Sequence, residues 1–447
     1  MATDLTKGNC AKQIILFSVP LLIGNLFQQL YTVVDSMIVG KMVSSNALAA
    51  VGTSTPIIFF LTALLSGFIM GASIITSQYY GAKDLNSMRK SISTSFIMIM
   101  FMGLAMTVIG LFFSKQILVF LNTPPEVMQD AKVYLQIFSL SIIFQCLYQF
   151  PAGILRGIGD SKTPLYFLIV ATVLNIILDI VFVFLFKNGV IGVAVATLIA
   201  QLIAAVACII YTLRKYEMLR FKAKEFVFDK QLFKLTVNYG LPSSIQQVVG
   251  SIGMLFLQGL VNSFGPNAMA AYTSAYKIDN FIMLPIMNLG LALSSFVGQN
   301  VGARKIDRIK TGLKSTAKIC IIFSLVASTI IYIFSKELML LFVDKTDTEI
   351  IRLGSDCLRA LSPLFFLCGL LDCYISFFKG VGDVNVAMAI SISQIVIRII
   401  VAYSLAPIEA IGINAVWWCM PVTWVICSAM GYIRYKSGQW KKYIRFS

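Results

Sequence analysis

The chain contains no histidine among its 447 residues. That removes the commonest transition-metal ligand and the usual switch of charge near neutral pH. Charge of any kind is scarce: 13% of residues, against roughly 25% in a soluble domain, while 58% are hydrophobic. The alternating polar and apolar pattern of an outer-membrane barrel strand is also missing. The nine cysteines include no CxxC pair, and Cys146, Cys208, Cys320, Cys368 and Cys427 fall within or beside apolar runs. They read as small packing residues, not as disulfides or metal ligands. No GxxxxGK[ST] loop is present, which excludes an ATP-driven pump in this chain. A DDxxD cluster, a His pair and a catalytic serine motif are all absent, so no enzyme is expected. The polar stretch from Met1 to Lys12 precedes an apolar run that carries Asp35 and lacks a small-residue cleavage site. A cleaved signal peptide is therefore not expected.

What remains is a succession of apolar runs from Gln13 to Ile433. Each is about 20 residues or longer, enough to cross roughly 30 Å of hydrocarbon as a helix. Lipid offers the backbone no hydrogen-bond partners, so such runs read as helices. Spans are expected at 13–40, 46–78, 91–115, 129–155, 163–186 and 190–213. A second set is expected at 236–263, 269–300, 313–335, 348–378, 386–406 and 410–433. The fold class is all-α integral membrane, with twelve transmembrane helices.

The formal charge of +16 could suggest nucleic acid, but its distribution argues otherwise. Of 36 basic residues, 24 lie before the first span, after the last or in every second connection, 4 lie in the other connections, and 8 fall within the spans as bounded above, Lys277, Lys318, Arg359 and Arg398 the deepest of them. By the positive-inside rule both termini are expected in the cytoplasm. The basic balance is a topology signal, and no nucleic-acid partner is expected.

The two sets of spans are copies. Asn46–Ala50 reads NALAA and Asn267–Ala271 reads NAMAA, at an offset of 221. At that offset the second span ends Gln78-Tyr79-Tyr80-Gly81-Ala82-Lys83, and its partner ends Gln299-Asn300-Val301-Gly302-Ala303-Arg304. Pro20 pairs with Pro242, and Arg156-Gly-Ile-Gly-Asp160 with Lys379-Gly-Val-Gly-Asp383. Six spans per copy is an even number, so a parallel repeat about an axis along the membrane normal is expected, an architecture of secondary transporters. The domains expected are a lobe at 1–213, a basic cytoplasmic linker at 214–235, a lobe at 236–435 and a basic tail at 436–447.

Among the 20 acids, Asp35, Asp179, Asp279 and Asp372 fall well inside apolar stretches of spans. An ionisable group at that depth costs at least ~2.5–3.5 kcal/mol, so each is a functional candidate by default. Asp35 lies about five residues, roughly 8 Å, from the outer end of its span. Asp179 and Thr197 are each about seven residues from theirs, which puts all three at one level. Asn175 and Asp179 share a helix face, as do Tyr31 and Asp35. Two carboxylates, an amide and a hydroxyl form a hard oxygen set able to hold Na+ or take up H+. The bland alternative is that Asn175, Asp179 and Thr197 only satisfy one another and the backbone.

The order Pro20…Asn25…Gln28-Gln29…Asp35…Gly40…Ala47…Ala49-Ala50-Val51-Gly52 resembles the MATE family, the multidrug and toxic compound extrusion transporters. Gly298–Ala303 and Arg156–Asp160 resemble it as well, and the likeness covers essentially the whole chain. The resemblance implies a V-shaped pair of six-helix lobes exporting amphipathic, often cationic compounds in exchange for H+ or Na+. In the branch of DNA-damage-inducible and archaeal members, whose site pattern is the nearest, it implies an ion site at Asp35, Asn175, Asp179 and Thr197.

The second copy differs. Leu257, Arg398 and Ala402 stand where the first has Asp35, Asn175 and Asp179, and Gly250–Gly259 contains no acid. Lys277, Asp279 and Arg398 are expected to pair with one another, with anion binding or gating as the alternative; Asp372 lies near the cytoplasmic end. Pro20, Pro56, Pro242 and Pro285 are expected to interrupt and kink their helices. Gly67 and Gly71 form a GxxxG, which most often marks close packing. Phe150, Phe281 and Met287 suit a promiscuous apolar cavity. Tyr31, Gln28, Pro20, Lys277, Asp279 and Arg398 are candidates for lining or gating the substrate path. The function expected is a secondary efflux antiporter working by alternating access, with a flippase or exporter of lipid-linked precursors as the alternative. Small organic molecules and membrane lipid are the expected partners. The chain is expected to be monomeric, to need no cofactor beyond its coupling ion, and to reside in a bacterial cytoplasmic (inner) membrane.

Overall fold

A computed structural model describes residues 3–38, 45–185, 189–221 and 225–444. Gly40 of the motif above lies outside the described residues, and the rest is helix and short connections. The helices are α1 (Cys10–Ile38), α2 (Ser45–Gly81), α3 (Leu85–Phe120), α4 (Pro125–Gly157), α5 (Lys162–Ile180), α6 (Gly189–Lys215) and α7 (Lys230–Asn262). They continue as α8 (Pro266–Gly302), α9 (Ile306–Met339), α10 (Thr348–Leu361), α11 (Phe365–Val381), α12 (Val384–Leu405) and α13 (Asn414–Lys436). Among the described residues, twelve stretches are long and apolar enough to cross a membrane, α10 and α11 together making one. The helices outrun the apolar cores: α3 has 36 residues, about 54 Å, where 91–115 was expected.

Local chemistry sets the ends. The Asp84 side chain accepts from Ser87 N at 3.0 Å to start α3. Pro125 and Pro266 occupy the first turns of α4 and α8, where a missing N–H costs nothing. The ends of α2 and α8 repeat the duplication bond for bond. Lys83 (φ 59°) and Arg304 (φ 57°) both take the left-handed conformation. Asp84 N reaches Tyr79 O and Lys83 N reaches Tyr80 O, both at 3.1 Å. Lys305 N reaches Asn300 O at 2.9 Å and Arg304 N reaches Val301 O at 3.0 Å, the same double closure. Gly159 (φ 90°) and Gly382 (φ 100°) repeat a second such turn.

The prolines do not interrupt their helices as expected. Pro20, Pro56, Pro242 and Pro285 all lie inside continuous helices. One lost backbone bond is tolerated where the turns on either side persist. The breaks lie elsewhere: Phe334 departs from helical geometry within α9, and Ser362–Leu364, containing Pro363, forms a 3₁₀ turn between α10 and α11.

The chain forms two compact units. One comprises Met1–Asp4 and Val19–Ser244; the other comprises Leu5–Ser18 and Ile245–Ser447. The opening turns of α1 thus belong with α8–α13, and those of α7 with α2–α6. Hydrogen bonds account for the exchange. In the second unit Arg308 donates to Leu5 O (3.1 Å), Lys7 O (3.0 Å) and Gly8 O (2.7 Å), and Lys305 Nζ donates to Thr6 O (2.8 Å). Gln299 and Asn300 hold the Leu5 backbone N–H and carbonyl at 3.0 and 3.1 Å. The Gly-Gln-Asn run therefore serves as a clamp on the start of the chain. In the first unit Arg89 Nε donates to Met218 O (2.9 Å), Ser93 to Val227 O (3.0 Å), and Thr94 Oγ1 accepts from Asp229 N (3.1 Å). These bonds fix the segment that leads into α7.

Gly67 and Gly71 pack as a GxxxG should. A Cβ on Gly67 would strike Ser244, and one on Gly71 would lie 2.7 Å from Gly240 N, so α2 and α7 touch backbone to backbone.

Candidate functional site

Helices α1, α5 and α6 of the first unit bring the predicted oxygen set together. Asp179 is fully buried, Asn175 is 3% exposed and Thr197 6%. The Asn175 amide satisfies both its ends when Nδ2 donates to Asp179 Oδ2 (3.0 Å) and Oδ1 accepts from Thr197 N (3.2 Å). The Thr197 hydroxyl donates to Val193 O at 3.1 Å, and the Tyr31 hydroxyl lies 3.4 Å from it. Asp35 shares the site with Asp179 through electrostatics, with no direct hydrogen bond between the two among the described residues. Asp35 and Asp179 each keep one enclosed carboxylate oxygen, Oδ1, without a hydrogen-bond partner. An enclosed carboxylate oxygen without a donor is costly, and a bound cation or proton would relieve it. Past Asp179 the helix opens into a π-helical turn, Val181–Leu185, an irregularity often found at functional sites.

The surroundings are asymmetric along the helices. Beyond Asp35 and Asp179, and before Thr197, an apolar layer of Ile38, Val183, Val193 and Ala194 closes around Tyr134 of α4. On the opposite side lies a small cavity of about 70 Å³ with mixed walls, where Gln28, Tyr31, Thr172, Asn175, Thr197 and Gln201 stand beside Leu168 and two alanines. Sequence reasoning missed Tyr134, Thr172 and Gln201. Thr172 precedes Asn175 by three residues and Gln201 follows Thr197 by four, so helical spacing from the known members would have found both. Pro20 is not at the site; it lies 15 residues before Asp35, about 22 Å along α1.

The second unit does not assemble the pairs expected of it. Lys277 is exposed, with its ammonium 5.6 Å from the Phe342 ring centre. Asp279 and Arg398 lie in each other's field but form no direct ion pair among the described residues. Asp279 Oδ1 and Arg398 Nε are both enclosed without partners. Their helices, α8 and α12, hold the two groups too far apart for contact. Asp372 of α11 presses its carboxylate onto Gly290 of α8, where any Cβ would collide with Oδ2. Phe281 and Met287 are exposed at 59% and 60%, while Phe150 is buried in the first unit.

Among the described residues no group of three or more His, Cys, Asp or Glu side chains is arranged to hold a metal. The site on α1, α5 and α6 is instead a mixed oxygen set of two acids, an amide and hydroxyls.

Known proteins share this architecture. The chain is 30% identical over 445 residues to "Probable multidrug resistance protein YoeA" of Bacillus subtilis, covering 98% of this chain and 96% of that one. It is 26% identical to "Multidrug export protein MepA" of Staphylococcus haemolyticus, covering 94% and 92%. A solved structure of a MOP superfamily transporter from Pyrococcus furiosus superposes with a TM-score of 0.91 at 24% identity, over 98% of both chains, and so shares the fold. The MatE family model matches twice, over residues 20–181 and 242–404, once in each copy. This multi-pass membrane protein belongs to the MatE family of transporters.

Proposed function

We propose that the protein exports amphipathic, often cationic organic compounds in exchange for H+ or Na+ taken up at Asp35, Asn175, Asp179 and Thr197. The observation that carries this reading is the pair of carboxylates of buried Asp179 and half-buried Asp35, each with an enclosed oxygen lacking a donor. Two neighbouring carboxylates in low dielectric cannot both remain ionised without a counter-charge. A proton or Na+ supplies that charge, so occupancy of the site and the charge of the unit change together. Asn175, bonded to Asp179 and to the Thr197 backbone, ties α5 to α6, and Tyr31 ties α1 to the same hydroxyl. Loading the site therefore alters the bonds among three helices at once. That is the local event an antiporter needs to couple ion binding to a change in its substrate path. The relatives named for multidrug resistance and multidrug export support the substrate class.

In this reading both termini lie in the cytoplasm, and the gene-level repeats at 1–213 and 236–435 act as two lobes joined by the linker 214–235. The small cavity of Gln28, Thr172 and Gln201 is the route by which the cation reaches the acids, and the layer around Tyr134 blocks the other side. Asp279 and Arg398 serve the substrate path instead of ion coupling.

The test is reconstitution. Proteoliposomes preloaded with a fluorescent organic cation are given an inward H+ gradient, an inward Na+ gradient or neither. Gradient-dependent loss of the dye supports the antiporter, and the effective gradient names the ion. Equal loss under all three conditions would exclude coupled export.

A further inference from the structure

The first unit holds a cavity apart from the cation site. It has a volume of about 290 Å³ and lies between α3, α4 and α6, beneath the segment that leads to α7. Phe96, Phe150, Ile154, Ile209, Phe221 and Phe226 supply most of its wall. Its depth is defined by the helix ends. Ile154 and Thr212 each stand three residues from the ends of α4 and α6, and Phe96 stands eleven residues into α3. The cavity thus occupies the outermost ~17 Å of the bundle on the side of the basic connections.

Two further features say what fits it. Phe226, Val227 and Phe228 are consecutive and exposed at 45%, 43% and 51%, although the Val227 carbonyl is fastened by Ser93 and Thr94. A fixed segment with three apolar side chains turned outward suits a lipid interface and not water. A basic side chain stands at the rim: Arg220 sits between the lining residues Leu219 and Phe221. Arg214, the residue after the lining Leu213, is exposed near the end of α6. Arg220 Nε and Nη2 donate to Leu213 O (2.7 Å) and Arg214 O (2.9 Å), which holds its guanidinium at the mouth while its side chain stays 54% exposed. Glu217, 3.9 Å from Arg220 Nη1, is 88% exposed and offsets that charge only partly.

We propose that this cavity seats an acyl chain of an anionic phospholipid from the leaflet on the side of the basic connections, with its headgroup phosphate held by Arg214 and Arg220. The lipid bridges α3, α4 and α6 to Leu219, Phe221 and Phe226 of the connection that follows α6. It fills the space between them, so it is a bound lipid and not transported cargo.

The experiment uses the full chain in proteoliposomes containing a trace of phosphatidylglycerol or phosphatidylcholine, each bearing the same diazirine-tagged acyl chain. After illumination, labelled peptides are mapped. Labelling concentrated on the segments holding Phe96, Ile154 and Ile209, above that of the exposed α9 residues Leu325 and Val326, is expected with phosphatidylglycerol. Arg214→Gln and Arg220→Gln should each lower it about fivefold, the loss of one basic contact at the surface. Ile209→Trp, which fills the cavity, should abolish it while α9 labelling and dye export persist. Labelling no higher than on α9, equal labelling by phosphatidylcholine, or no response to Ile209→Trp would each overturn the proposal.

Discussion

Asp160 and Asp383 stand 223 positions apart and anchor the same corner of each repeat by different bonds. Asp383 is fully buried, and among the described residues its side chain reaches only Arg434, whose Nε and Nη2 lie 3.0 and 2.8 Å from its Oδ2. Asp160 accepts from Thr163 Oγ1 (2.5 Å), Thr163 N (3.0 Å), the Tyr216 hydroxyl (2.5 Å) and Lys215 Nζ (3.2 Å). In both repeats the aspartate that ends the Gly-x-Gly-Asp turn ties the turn to the end of the sixth span. The motif is structural in each copy.

The difference in bonding predicts unequal sensitivity. Arg434→Gln leaves a buried carboxylate without its only charged partner, at a cost of roughly 3 kcal/mol or more. Lys215→Gln leaves Asp160 four other hydrogen bonds, that from Lys162 N (3.1 Å) among them, and should cost on the order of 1 kcal/mol. Thermal melting in detergent compares them. A smaller shift for Arg434→Gln than for Lys215→Gln would contradict the bonding described.

Asp160 also gives a pH dependence. Burial pushes its carboxyl upward, but hydrogen bonds from Thr163 and Tyr216 and the Lys215 charge outweigh burial and hold it below its ordinary value. A group with a lowered folded pKa contributes stability that is present above the unfolded value of about 3.9 and is lost as pH falls through the folded one. The melting difference between the wild type and Asp160→Asn should be constant from pH 7 to 5 and shrink below about 4. A difference that grows on acidification would reverse the sign.

The clamp on the start of the chain can be probed by proteolysis. Arg308 donates to the backbone carbonyls of Leu5, Lys7 and Gly8, so Arg308→Gln should free that segment. Faster tryptic cleavage after Lys7 and Lys12 is expected, with later sites unchanged. Cleavage at the wild-type rate would mean that Gln299 and Asn300 suffice.

The helix contact at Gly71 predicts a steric failure. Gly71→Val would drive a branched side chain into Gly240 of α7, whereas Gly52→Val meets nothing within 4 Å. Expression and monodispersity should collapse for the first and persist for the second. Equal yields would rule out the backbone contact.

These features were not equally legible in the sequence. Twelve spans and their duplication were readable because apolar length and left-handed turns at Lys83 and Arg304 leave marks in composition and motif. Asp35, Asn175, Asp179 and Thr197 stood out because polar groups are rare in spans, and the structure brings Asn175, Asp179 and Thr197 into contact, with Asp35 beside them. The exchange of the first turns of α1 and α7 was not legible, since an apolar helix does not record which partner it packs on. Nor was the failure of Asp279 to meet Arg398, because span position gives depth but not rotation. Proline was misleading: Pro20 and Pro242 leave their helices continuous, while Phe334 breaks α9 with no proline nearby.

The most direct test of the cation site is dye export from proteoliposomes under the effective gradient, comparing the wild type with Asp35→Asn and Asp179→Asn. Both variants keep the shape of the side chain and remove its charge, so each should lose at least about tenfold of gradient-driven export, the equivalent of ~1.4 kcal/mol of coupling, while melting temperature stays near that of the wild type. Undiminished gradient-driven export in Asp35→Asn would contradict a coupling site built on these two acids.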